Sequence, residues 1–97
     1  MGYWVYVLRC GDSTLYTGST NDPARRLAAH QSGKGAKYTR SHLPVELVYL
    51  EELDDKSSAL RREATIKKMS RTEKLALIRT ASETSNRNPE SQPKKIP

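Results

Sequence analysis

Two tyrosines, an arginine, a histidine and a glutamate are the side chains of this sequence best suited to do chemistry together. In LYTGSTNDPARRLAAH, Leu15–His30, a tyrosine and a glycine (Tyr16, Gly18) precede a turn, and Arg26 and His30 follow four residues apart. On a helix such a pair lies about 40° apart around the axis. A guanidinium there can grip phosphate through two parallel hydrogen bonds and stays charged at any working pH. Histidine can donate to phosphate or pass a proton to a leaving oxygen near neutral pH. Taken alone, both residues read first as solvated groups bordering the inward stripe of Ala24, Leu27 and Ala28. Tyr6 stands across a prospective hairpin from Tyr16, so the two phenols face one cleft or sit at the core edge with satisfied hydroxyls. Gly18 relieves the backbone at the turn, and also leaves room for a backbone or a phosphate to come close.

Glu63 falls on a helix expected over Ser57–Met69. With Leu60 as the zero of angle, Ala59 and Ile66 lie near about −100° and −120°, Ala64 near about +40° and Glu63 near about −60°. Its carboxylate therefore points toward the packed side, where a lone charge is unfavourable. Lys67, at i,i+4, can answer it with an ion pair, and so can a divalent cation, which favours hard oxygen ligands. Helical geometry leaves both open. No second acidic residue stands at ligand spacing, which argues against a two-metal site but not against one ion completed by water and phosphate oxygens. His42 is expected to face a bound polyanion or solvent rather than to ligate a metal, and Cys10 to be structural. No P-loop, dinucleotide fingerprint, zincin motif or serine nucleophile elbow is present.

The elements that must position these groups follow from local patterning. YWVYVLR, Tyr3–Arg9, has the β-branched and aromatic content of a strand, with Trp4, Tyr6 and Leu8 on one face and Tyr3, Val5 and Val7 on the other. CGDS turns the chain, and Leu15–Gly18 forms the second arm. Asp22 caps a first helix with Pro23 at its first position, and Ser32-Gly33 ends it. Residues 33–43, GKGAKYTRSHL, read as a loop. Pro44–Leu53 reads as a third strand, and Ser70-Arg-Thr-Glu73 is a capping box opening a last helix through about Thr80, with Leu75 and Ile78 inward. The order is β-β-α-β-α-α: an α+β domain in which helices cover a three-stranded, mostly antiparallel sheet. Residues 1–80 form the domain; 81–97, polar with three prolines, are expected to be disordered.

Composition narrows the partners. A chain of 97 residues makes one domain at most. Seventeen Lys/Arg against eleven Asp/Glu give a net charge of +6, of which +5 lies within positions 1–80. The excess thus belongs to the domain and favours a polyanion. A single cysteine excludes an internal disulfide framework and a cysteine-based zinc knuckle. No stretch approaches transmembrane length and no apolar run precedes a processing site, so a cytoplasmic protein without membrane contact is expected.

Val5-Tyr6-Val7, then Tyr16-Thr17-Gly18, then Arg26, His30 and Glu63, resembles the GIY-YIG nuclease superfamily, whose two triplets are VYV and YTG here. NDPARRLAAHQSGKGAKYT and ALRREATIKKMSR resemble its small stand-alone bacterial members, over about residues 3–80. The resemblance implies metal-dependent hydrolysis of a DNA phosphodiester. Tyr6 and Tyr16 would frame the cleft and position or deprotonate the attacking water, and Arg26 would stabilise the pentavalent phosphate. Glu63 would hold one Mg²⁺ or Mn²⁺, and His30 matches the histidine that follows the catalytic arginine in many members. Tyr38 is implied as a further active-site residue, with Lys37 and Arg40 assisting substrate binding. For a tyrosine to act as base its pKa, near 10 when unperturbed, must come down. Thr17 departs from the family isoleucine, and the first triplet lacks its glycine and isoleucine. With no appended recognition domain in view, a structure-selective nuclease is expected rather than a site-specific one. The alternatives are a noncatalytic nucleic-acid-binding module of the same fold, and an adaptor whose protein partner supplies targeting.

Overall fold

The computed structural model describes residues 2–87. Its elements are β1 (Tyr3–Arg9), β2 (Leu15–Thr20), α1 (Pro23–Gln31), α2 (Lys37–Arg40), β3 (Glu46–Leu53), α3 (Lys56–Lys67) and α4 (Arg71–Arg87). They build an α+β fold on a three-stranded antiparallel sheet of order β2-β1-β3. β1 occupies the centre because it can bury both faces, and Val5, Tyr6, Val7 and Leu8 are all buried. Alternation sorts them as expected. Val5 and Val7 pack with Tyr49, Ala59 and Ile66 under α3 and α4, while Tyr6 and Leu8 pack with Cys10, Val45, Tyr16 and Leu27 on the α1 side.

The helix starts follow their caps. Asp22 Oδ1 accepts from the Arg25 amide at 3.2 Å, and Ser70 and Glu73 cap each other reciprocally at 3.1 and 2.8 Å. α3 begins at Lys56 rather than Ser57, because Asp55 accepts from the Ser58 amide at 2.8 Å. It ends at Lys67, short of Met69.

Four expectations are corrected. Lys37–Arg40 is a helical turn, not loop, held in part by the Thr39 hydroxyl donating to Ala36 O at 3.0 Å. β2 runs on to Thr20, so Gly18 lies inside a strand, opposite Tyr6. On α3 the buried arc centres on Ala59 and Ile66, and Leu60 is 49% exposed. The last helix passes Thr80 and reaches Arg87, since no proline interrupts 81–87 and Ala81 adds to the core beside Leu77 and Ile78; Leu75 is not part of that cluster. Positions 88–97 of the tail expected to be disordered lie outside the described residues.

Thr17 tests the packing on the α3 side. Its hydroxyl is buried without a hydrogen-bond partner among the described residues. Thr17→Val keeps the shape and removes the orphaned polar group, so it is expected to stabilise the fold by about 1 kcal/mol. That corresponds to a rise of about 4–8 °C in melting temperature for a domain this size, readable by thermal denaturation.

Candidate active site

Tyr6 is the hub. Its partner on β2 is Gly18, and a Cβ at Gly18 would collide with the Tyr6 hydroxyl and the adjoining ring carbon. The missing side chain thus lets the phenol lie across β2, which gives Gly18 a packing role. The hydroxyl pairs with His30 Nε2 at 3.0 Å. Tyr16 packs beside both, with its ring centroid 6.5 Å from Tyr6 and 5.5 Å from His30.

His30 does not border the α1 stripe; it is fully buried. Ala24 and Ala28 are exposed, and the inward face runs through Leu27 and His30. Small alanines tolerate either side of a helix, whereas the imidazole is drawn inward by two hydrogen bonds. The second is from Nδ1 to Thr39 Oγ1 at 2.7 Å. A Cβ at Gly35 would overlap the imidazole ring, so this backbone can close over His30 only as glycine.

Burial pushes the Tyr6 pKa up, and the charge of the adjacent Arg26 opposes that without reversing it. The protein's own residues thus hold the phenol above its ordinary value, with Arg26 as the main opposing influence. Arg26 in turn is held above its ordinary value, chiefly by Tyr6, so it is charged at every working pH. Burial, followed by the Arg26 charge, pushes His30 below its ordinary 6.5.

That shift fixes a sign. As pH falls through 6.5 the unfolded chain takes up a proton on this histidine and the folded chain does not. Stability present above 6.5 is therefore lost on the way down to the folded value. Asp12, held low by the Thr14 side chain, and Asp55, held low by the Ser58 amide, act only below their ordinary 3.8. Melting temperature is expected to fall between roughly pH 7 and pH 5. His30→Gln should flatten that limb; an unaltered slope would remove His30 as its source.

Glu63 stands on α3, on the other face of the sheet, and meets β2 at Ser19. Its Oε1 accepts from Ser19 Oγ at 2.7 Å, and its Oε2 pairs with Lys67 Nζ at 2.9 Å. Both partners the sequence suggests for this carboxylate thus remain relevant: the lysine is in place, and the carboxylate, 17% exposed, stays reachable from solvent. Its negative charge is near enough to add to the upward push on Tyr6. Among the described residues no group of three or more His, Cys, Asp or Glu is arranged to hold a metal.

Tyr38 stacks on Tyr16 with centroids 6.2 Å apart and on His42 at 4.1 Å. Its hydroxyl donates to Thr14, away from Tyr6. Lys37 and Arg40 are exposed on the same short helix and form no ion pair among the described residues. The structure therefore gathers Tyr6, Tyr16, Arg26 and His30, brings Glu63 alongside, and leaves Tyr38, Lys37 and Arg40 on the rim. Sequence reasoning misses Ser19, Gly35 and Thr39. Alternation along a longer β2 would have pointed Ser19 toward α3, but a four-residue turn has no periodicity to mark Thr39 as buried.

Residues 2–76 match the family described as the GIY-YIG catalytic domain. A UPF0213 protein of Syntrophus aciditrophicus is 60% identical over 77 residues, covering 78% of this chain and 88% of that one. A UPF0213 protein of Natronomonas pharaonis is 54% identical over 76 residues, 78% and 89% of the two chains. The solution NMR structure of the UPF0213 protein BH0048 from Bacillus halodurans superposes with a TM-score of 0.55 at 44% identity, over 82% of this chain and 85% of that one. The solution NMR structure of EF2693 from E. faecalis gives 0.54 at 39% identity, over 79% and 83%.

Proposed function

This chain belongs to the GIY-YIG catalytic-domain family, and on that premise we propose that its Tyr6–Tyr16–Arg26 cleft receives a DNA phosphodiester and, with a divalent cation at Glu63, hydrolyses it. The observation that carries the reading is that Tyr6 is paired with His30 at 3.0 Å and has Arg26 beside it.

Glu63 suits a cation in one specific way. Lys67 already places a positive charge on its carboxylate, and Ser19 Oγ supplies a neutral oxygen to the same group. The lysine is half exposed and can withdraw. Glu63 would then hold one Mg²⁺ or Mn²⁺, whose chemistry is to neutralise phosphate charge and ease ionisation of water. The chain's own residues do the rest. Arg26 grips the phosphate and offsets the charge that grows on its oxygens in the trigonal-bipyramidal transition state. The water oxygen forms a bond to phosphorus as the bond to the leaving oxygen breaks. Tyr6 Oη takes the water proton while its own proton moves to His30 Nε2, so that no free tyrosinate is needed. Solvent protonates the leaving oxygen. Tyr16 packs against the pair and keeps bulk water from its inner side.

A second reading has its own observation. Both oxygens of Glu63 are already partnered without a cation, as suits a module that binds nucleic acid and does not cut it. Supercoiled, single-stranded and branched DNA incubated with Mg²⁺, Mn²⁺ or chelator separates the two. Cleavage that requires the ion is the expected result. Salt-sensitive binding without cleavage would establish the second reading instead.

A further inference from the structure

The hydrogen-bond chain behind Tyr6 runs deeper than any residue that reaches the cleft. Tyr6 Oη meets His30 Nε2 at 3.0 Å, His30 Nδ1 meets Thr39 Oγ1 at 2.7 Å, and Thr39 Oγ1 meets Ala36 O at 3.0 Å. Both His30 and Thr39 are fully buried, so no solvent enters to satisfy a different arrangement.

The direction of this chain follows from its far end. A carbonyl oxygen can only accept, so the single hydroxyl proton of Thr39 goes to Ala36 O. Sending it to His30 instead would leave two oxygen acceptors facing each other at 3.0 Å with no proton between them. With that proton committed, Thr39 Oγ1 can only accept from His30, so Nδ1 carries the imidazole hydrogen. Nε2 is then a bare lone pair, and the Tyr6 hydroxyl must donate to it. Every proton points the same way, from Tyr6 inward. The lone pairs of Tyr6 are left on the side where Arg26 stands, and Gly35, whose backbone leaves no space for a Cβ over the imidazole, holds the ring in place.

We infer that Thr39 is a positioning residue that fixes His30 as its Nδ1–H tautomer, and thereby sets Tyr6 to accept a proton from the cleft side while donating its own to His30. Thr39 acts through His30 and touches no substrate. Its part in hydrolysis rests on the function proposed above; its hold on the tautomer does not.

The test reads the tautomer directly. The chain has two histidines, so ¹⁵N-histidine labelling with long-range ¹H–¹⁵N correlation spectra at mildly alkaline pH shows which ring nitrogen of each is protonated. His30→Gln assigns the signals. The intact protein is expected to show Nδ1–H for His30. Thr39→Val, equal in shape, should shift the population toward Nε2–H and lower kcat about tenfold or more with KM for DNA unchanged. Thr39→Ser should restore both. An Nε2–H signal in the intact protein overturns the inference, and so does a Thr39→Val variant that keeps the Nδ1–H form. Should Thr39→Val fail to fold, the intact protein and Thr39→Ser still decide it. If the intact protein cuts no DNA with any cation, the proposed hydrolysis fails and the tautomer measurement stands by itself.

Discussion

Arg26→Ala is expected to lower DNA cleavage about a hundredfold to a thousandfold while leaving the fold intact. The guanidinium sits beside the Tyr6 hydroxyl, each group shifting the titration of the other. Arg26 is only partly buried, so part of its guanidinium remains reachable. A phosphate bound there gains a charge partner whose donors are set before the reaction begins, and this is the kind of group that favours a transition state over a ground state. Arg26→Lys should recover little, because an ammonium offers a point charge where a planar pair of donors is wanted. Binding should suffer less than chemistry. Losing one phosphate contact reduces the salt slope of DNA affinity by about 0.9, a modest change beside the loss in rate. Measuring kcat, affinity at several salt concentrations and melting temperature together separates these effects. A rate within a few-fold of the intact protein would remove Arg26 from the reaction, whatever happened to binding.

The same variant probes how the site is wired. Without the guanidinium, Tyr6 loses the main influence opposing burial, so its hydroxyl becomes harder still to ionise. The proton of Tyr6 can then leave only along the bond to His30. This is why the inward hydrogen-bond chain matters more than any intrinsic acidity of the phenol.

Much of this arrangement could be read from residue order. Alternation in Tyr3–Arg9 separates the two buried faces of β1 correctly, because a central strand has no solvent side to blur the pattern. Asp22 with Pro23, and Ser70 with Glu73, mark helix starts through hydrogen bonds that depend only on neighbours. What fails is whatever depends on distant partners. Counting Ala24 and Ala28 as inward puts His30 on a rim, when its hydrogen bonds to Tyr6 and Thr39 pull it to the centre. Leu60 misleads in the same manner, since a large apolar residue need not define the buried arc when Ala59 and Ile66 do. Gly18 looks like a turn residue until β1 is laid beside it. The angle of Glu63, by contrast, follows from helix geometry alone, and Lys67 stands one turn on, where that geometry puts it.

Glu63 and Lys67 offer the sharpest separation of a cutting enzyme from a binding module. Glu63→Gln keeps the shape but removes the charge, and is expected to abolish the divalent-cation requirement together with about a hundredfold or more of the cleavage rate. Lys67→Met does the reverse to the ion. In the intact protein a cation must displace an ammonium 2.9 Å from the carboxylate. An ion pair with one largely exposed partner is worth up to about 1 kcal/mol, so removing it should tighten Mn²⁺ binding by up to about fivefold. Without metal, Lys67→Met should melt earlier than the intact protein, because it leaves a partly buried carboxylate uncompensated. Added Mn²⁺ should restore the loss, since a ligand that binds only the folded state stabilises it by mass action. Titration calorimetry and melting curves with and without Mn²⁺ read both effects in the absence of DNA. Equal Mn²⁺ stabilisation of the intact protein, Glu63→Gln and Lys67→Met would place the ion elsewhere. The Glu63–Lys67 pair would then be a strut between two turns of α3, and the cleft beside it a surface that holds DNA without cutting it.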